Sequence, residues 1–100
     1  MNRDQLLPEQ ILKRLPKLGT TKDQENPMIQ VKFFYPDFSW TWYGIEFDGK
    51  DIFYGLVEGF EKELGTFSLS ELLDNRGKLG LEIERDLCFK PTPLKELLKP

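Results

Sequence analysis

Seven carboxylates lie between positions 37 and 63: Asp37, Glu46, Asp48, Asp51, Glu58, Glu61 and Glu63. Paired carboxylates do acid–base work or hold a hard cation, and Asp48 with Asp51 is the pair around which a hydrolase or nuclease centre would form. Their spacing fixes no mutual distance, and solvated turn residues or edge charges that discourage aggregation have the same composition. The chain has no histidine, so the commonest general base and metal ligand is absent. One cysteine cannot build the usual zinc sites, and without a histidine it lacks the standard activating partner of a thiol nucleophile. Cys88 stands between Leu87 and Phe89, which predicts a buried structural thiol. The glycines are scattered through turns rather than gathered into a phosphate-binding loop. No catalytic residue, metal site or cofactor is expected.

Aromatic side chains offer the other chemistry. Twelve of the thirteen fall between Ile29 and Ser68, a density that serves a core first and a binding surface second. Phe38, Trp40, Trp42 and Tyr43, if exposed on a sheet face, are favoured anchors for a protein partner, with Asp48 and Asp51 as charged neighbours. The same rings would also stack single-stranded nucleic acid, with Lys32 and Lys50 meeting phosphates beside Trp40 and Trp42. Stacking platforms usually lie in positive grooves, whereas this chain carries a net charge of −3, so protein recognition is the first expectation and nucleic acid the alternative.

The elements that must position these residues are legible in the periodicity. Asp4 to Leu15 reads as one amphipathic helix, with Leu7, Ile11, Leu12 and Leu15 on one stripe and Pro8 in its first turn. Thr20 to Pro27 is polar and proline-terminated, a surface loop. Met28 to Tyr35 alternates as a strand and stops at Pro36-Asp37. Phe38 to Asp48 is the longest strand candidate, with Phe38, Trp40 and Trp42 on one face and Tyr43, Ile45 and Phe47 on the other. Either both faces are covered or a bulge near Trp42-Tyr43-Gly44 exchanges them. Asp48-Gly49 signals a hairpin into a strand from Asp51 to Glu58. Glu58 to Glu61 then turns the chain into a shorter strand, Glu63 to Phe67. Connections this short make antiparallel neighbours.

Ser68 and Glu71 have capping-box spacing ahead of Leu72 and Leu73, so a short helix starts there and ends by Gly77. Leu81 to Phe89 is extended and a candidate fifth strand. The Lys90-Pro91-Thr92-Pro93 segment opposes regular pairing, and Thr92 or Pro93 can open a last helix through Leu94, Leu97 and Leu98. The fold class expected is α+β: an antiparallel meander of four to five strands, covered by an N-terminal helix and a short helix after the meander. One domain spans 1–100, divided into an N-terminal helical segment 1–18, the meander 28–68, and a closing region 69–100. A helix layer on one face would leave the other free unless a homodimer buries it.

Composition narrows the setting. A lone cysteine favours a reducing compartment. The first residues lack the apolar run and cleavage site of a secretory signal, and no stretch approaches membrane-spanning length. A soluble cytoplasmic protein without a membrane partner is expected.

The motifs LPKL (Leu15–Leu18), KFFYP, WTWY followed by EFDG, FYGLV, ELG with SLSEL, and IERD with FKP occur in that order between Leu15 and Leu97. In that order they closely resemble a family of small bacterial proteins known as the domain of unknown function numbered twenty-nine fifty-eight. The resemblance implies proteins carried on plasmids, integrative elements and phages, often near antirestriction genes. It implies no catalytic residues. A small, non-enzymatic accessory protein is therefore expected, one that binds a host or element-encoded protein, with inhibition of a defence system (restriction or CRISPR) as the implied role. The helix ahead of Leu15 is the one departure expected from the family pattern.

Overall fold

The computed structural model describes residues 1–99. In chain order the elements are α1 (Arg3–Leu6), α2 (Glu9–Leu12), β1 (Met28–Ile29), β2 (Val31–Phe34), β3 (Thr41–Phe47), β4 (Ile52–Glu58), β5 (Lys62–Ser68), α3 (Leu69–Asp74), β6 (Glu84–Arg85), β7 (Thr92–Pro93) and α4 (Leu94–Leu98). The protein is α+β. Five strands form an antiparallel sheet in the order β5-β4-β3-β2-β6, and β1 pairs with β7 in a separate two-stranded ribbon.

Strands β2 to β5 are the meander that the short connections require. At the β3–β4 turn, Gly49 adopts φ +90°, a backbone region open to glycine and strained for other residues. The β3 strand carries a bulge: Gly44 faces Gly55 and Glu46 faces Tyr54, so Ile45 is the extra residue. It lies just past the predicted Trp42-Tyr43-Gly44 position. A bulge shifts the alternation by one. Phe47 therefore joins Trp42 on the first face instead of sharing the second with Tyr43 and Ile45. Gly55 permits the close approach of β3 and β4, since a Cβ there would lie 1.8 Å from the Tyr43 carbonyl oxygen.

Both faces are covered. On the first, Leu6, Leu7 and Ile11 from the N-terminal turns and Leu69 and Leu72 from α3 pack on Phe33, Trp42, Phe47 and Phe53. Phe53 stacks on Phe67 at 5.0 Å and meets Phe47 at 4.4 Å, so the middle of this layer is almost wholly aromatic. On the second, Ile29, Tyr43, Ile45 and Leu56 are closed over by Leu94, Leu97 and Phe89. The second cover, which the sequence left open to a homodimer, is the C-terminal segment, which folds back over the sheet.

Five further expectations need correction. The N-terminal helix is two single turns, because Pro8 disfavours helical geometry at Leu7, which sits at φ −134°, ψ 75°, and Pro8 itself begins the second turn. The long strand starts at Thr41 rather than Phe38, since Pro36 to Ser39 form the connecting turn. The fifth strand is only Glu84–Arg85, paired with Phe33 and Phe34 of β2. Pro93 does not prevent pairing, because a two-residue ribbon leaves a proline at its edge, opposite Met28. Cys88 is exposed. It lies in a turn where its N–H donates to Asp86 Oδ1 at 2.9 Å, and Phe89 is the residue that points inward against Tyr43.

Candidate protein-binding cleft

Hairpin turns at one end of the sheet bring five rings into an unbroken series. Centroid separations run Phe38–Tyr35 5.8 Å, Tyr35–Trp42 5.3 Å, Trp42–Trp40 6.1 Å and Trp40–Phe60 5.6 Å. Three of these contacts are edge-on, the arrangement that ring quadrupoles prefer. The β2–β3 hairpin supplies four of the rings and the β4–β5 tip supplies Phe60. Facing them, α3 and the loop after it contribute Glu71, Asn75, Arg76 and Lys78. Between the two walls runs an open cleft of about 610 Å³.

The series grades from core to solvent. Trp42 is 7% exposed, whereas Phe60 is 93% exposed. Trp40, in between, packs over Gly59, where a Cβ would meet the indole at 2.7 Å. Leu79, on the loop after α3, is exposed as well. A phenylalanine almost fully in water at the rim of an apolar groove is unusual for a ring needed only for folding.

Asp37 holds the opposite wall. Its Oδ2 accepts the Leu79 N–H at 2.6 Å and the Leu81 N–H at 3.4 Å. Its Oδ1 is buried without a hydrogen-bond partner among the described residues, against Gly77, whose missing Cβ would fall 1.5 Å from it. Burial, with the charge of Asp37 adding to it, raises the Tyr35 hydroxyl above its ordinary pKa.

Charges of both signs rim the cleft. Lys78 Nζ stands over the Phe38 ring at 5.4 Å. Arg76 donates to the carbonyls of Leu73 and Asn75, each at 2.9 Å, and lies 3.7 Å from Glu82. Glu71 accepts from the Ser68 hydroxyl at 2.8 Å. These groups can orient a bound segment. Among the described residues no cluster of three or more potential metal ligands occurs.

The residues singled out in the sequence divide into three places. Phe38, Trp40 and Trp42 come together in the cleft. Tyr43 is buried on the other face with Lys32 beside it, the Lys32 ammonium 5.9 Å from the ring and 3.5 Å from Asp86. Burial, then the charges of Glu58 and Asp86, push the Tyr43 hydroxyl up. Asp48, Lys50 and Asp51 lie at the far end of the sheet. There Asp48 Oδ1 accepts from the N–H groups of Lys50, Asp51 and Ile52 at 2.7–3.0 Å. Those bonds, Asp51's first, hold its carboxyl below the usual range. Asp51 accepts from the Ser70 N–H at 2.8 Å and hydroxyl at 3.0 Å, which ties the hairpin to α3. Both carboxylates thus have structural work to do.

Two contributions escaped the sequence reading. Phe60 closes the ring series, and its signal was a large apolar residue at the tip of a Glu-Gly-Phe-Glu turn. Glu46, read as one of several turn carboxylates, is 3% exposed. Its oxygens accept from the Gly19 and Thr21 N–H groups at 2.7 Å and from the Thr21 hydroxyl. It borders a second cleft of about 570 Å³ between the 18–27 segment, Leu64 and Leu94.

Residues 6–98 match the family described as "Protein of unknown function (DUF2958)". The chain belongs to this family. The DUF2958 match runs from α1 to the end of α4 and includes every residue of the cleft. It also begins at Leu6, so the segment ahead of Leu15, expected to depart from the family pattern, lies within it from that residue on. No curated protein and no solved structure matches the chain.

Proposed function

We propose that this protein acts in the cytoplasm by binding another protein, without catalysing a reaction, and that the cleft between the ring series and α3 is where the partner docks. The observation that carries this reading is Phe60, 93% exposed yet held edge-on against Trp40 at the mouth of the cleft. Rings fixed in position at low entropy cost are the residues that dominate protein interfaces. Inhibition of a host defence protein, restriction or CRISPR, by a protein of mobile-element origin is the role that the sequence resemblance implies, and it needs binding alone.

The test is co-purification of the tagged protein from bacteria that carry an active restriction or CRISPR system, alongside Phe60→Ala and Trp40→Ala. Both side chains lie at the surface end of the series, so both variants are expected to keep the wild-type circular dichroism spectrum. The partner is expected to lose about 30-fold or more in affinity for each, the size of a hot-spot truncation. Equal recovery with all three proteins would overturn the cleft as the docking site. For the alternative, single-stranded nucleic acid, only Trp40 and Trp42 of its four candidate residues border the cleft. Tryptophan quenching by an oligonucleotide that weakens steeply with salt would restore that reading.

A further inference from the structure

The sheet ends at β5, a seven-residue strand with none of the described residues paired on its outer side. Its orientation follows from the hairpin. The Gly59 N–H reaches the Glu61 carbonyl and the Leu69 N–H reaches the Asp51 carbonyl, so the odd-numbered residues of β5 face β4 through their main chain. The N–H and C=O groups of Lys62, Leu64 and Thr66 therefore point outward. Among the described residues none of these donors or acceptors is hydrogen-bonded elsewhere.

Edges of this length are normally blunted by proline, a bulge or charges along the strand. Here the charges gather at one end, in Glu61, Lys62 and Glu63, and Leu64 to Ser68 has none. Leu64, 47% exposed, borders the second cleft with Leu18 and Tyr54.

We propose that this edge pairs with the same edge of a second copy, joining two sheets antiparallel about a two-fold axis at Leu64. An edge strand complements itself under such an axis, because each outward N–H meets an outward C=O. Side chains select the register. An axis at Glu63 would oppose two glutamates, which is destabilising. An axis at Gly65 or Thr66 would set Leu64 against a hydroxyl side chain. An axis at Leu64 packs the exposed leucine on its own copy, sets Lys62 beside Thr66 and Glu63 beside Gly65, and opposes no like charges. A second copy is favoured over a foreign strand because one register satisfies charge and apolar contact together.

Sedimentation velocity of the full chain is expected to give a dimer at high micromolar concentration. Thr66→Pro removes an outward N–H without touching the β4 ladder, so it is expected to give a monomer with an unchanged circular dichroism spectrum. In a Cys88→Ser background, Leu64→Cys is expected to cross-link between copies under mild oxidation, since hydrogen-bonded antiparallel pairs bring Cα atoms within disulfide reach. Thr66→Cys in that background is expected to stay unlinked. A wild-type monomer at high concentration overturns the proposal, as does a dimer that survives Thr66→Pro. Edge amides of a monomer that gain exchange protection only with a different protein would make the occupant a foreign strand, which also overturns it.

Discussion

A buried carboxylate with no ion pair among the described residues keeps its charge through the donors around it, and Glu46 has three. Burial alone would raise its pKa. The Thr21 hydroxyl and the N–H groups of Gly19 and Thr21 outweigh that, and the value is lowered. A carboxyl with a folded pKa below its unfolded one stabilises the fold fully above the unfolded value and loses that contribution as pH falls through the folded one. Glu46→Gln keeps the shape but offers one acceptor oxygen in place of two. It is expected to lower stability by about 1–3 kcal/mol at neutral pH, the range for a donor left unpaired. The difference from wild type should shrink in acid, as paired urea titrations at neutral pH and below about pH 4 would show. The two tryptophans make a second expectation. With Trp40→Phe, emission from Trp42 should be blue-shifted and poorly quenched by acrylamide; with Trp42→Phe, emission from Trp40 should be redder and readily quenched. The pairing of Trp40 with Trp42 on one face was legible from their two-residue spacing. The role of Glu46 was not, because its donors come from a loop 25 and 27 residues away.

Asp51 shows how an element can be set by a residue outside it. Helix α3 opens with Ser68 as its own cap, the Ser68 hydroxyl accepting the Glu71 N–H at 3.1 Å, and Asp51 takes the next donor, the Ser70 N–H. Asp51→Ala is expected to cost about 1 kcal/mol in thermal or denaturant unfolding, as for loss of a helix cap. Partner affinity should fall no further than the loosened start of α3 accounts for, since Asp51 reaches the cleft only through that helix and the ring series lies at the other end of the sheet. A large loss of binding with intact stability would instead return Asp51 to the docking surface. The hairpins and α3 were legible because their signals are local: Asp48-Gly49 and Ser68-x-x-Glu71 each act within four residues. The fifth strand was legible as the extended 81–89 segment but not in its two-residue extent, and the ribbon of β1 with β7 was not legible, because two-residue strands carry no alternation. The Ile45 bulge was half legible. Gly44 marked its neighbourhood, but the exchange of Phe47 onto the first face depends on register with β4.

At the scale of the molecule, a sheet with two covered faces needs two lids, and they come from different parts of the chain. The N-terminal turns and α3 close one face; the Phe89–Leu98 region closes the other. The second lid is fastened by the β1–β7 ribbon, in which Ile29 faces Thr92 and Met28 faces Pro93, and by the Lys95 N–H donating to Asn26 Oδ1 at 2.9 Å. Such a fastening has a kinetic consequence. The meander closes through loops of a few residues, whereas the ribbon joins positions more than sixty residues apart, and contacts of that span form late. Folding should therefore begin with the hairpins and finish with the ribbon. Mutations at Leu94 or Ile29 should speed unfolding far more than they slow refolding, as stopped-flow measurement of Leu94→Ala would register. Native-state hydrogen exchange should find the Leu94 amide, bonded to the Pro27 carbonyl at 2.9 Å, opening in smaller excursions than those of β3 and β4. The same late closure makes the C-terminal lid the part of the molecule that can lift while the ring series and its cleft stay in place.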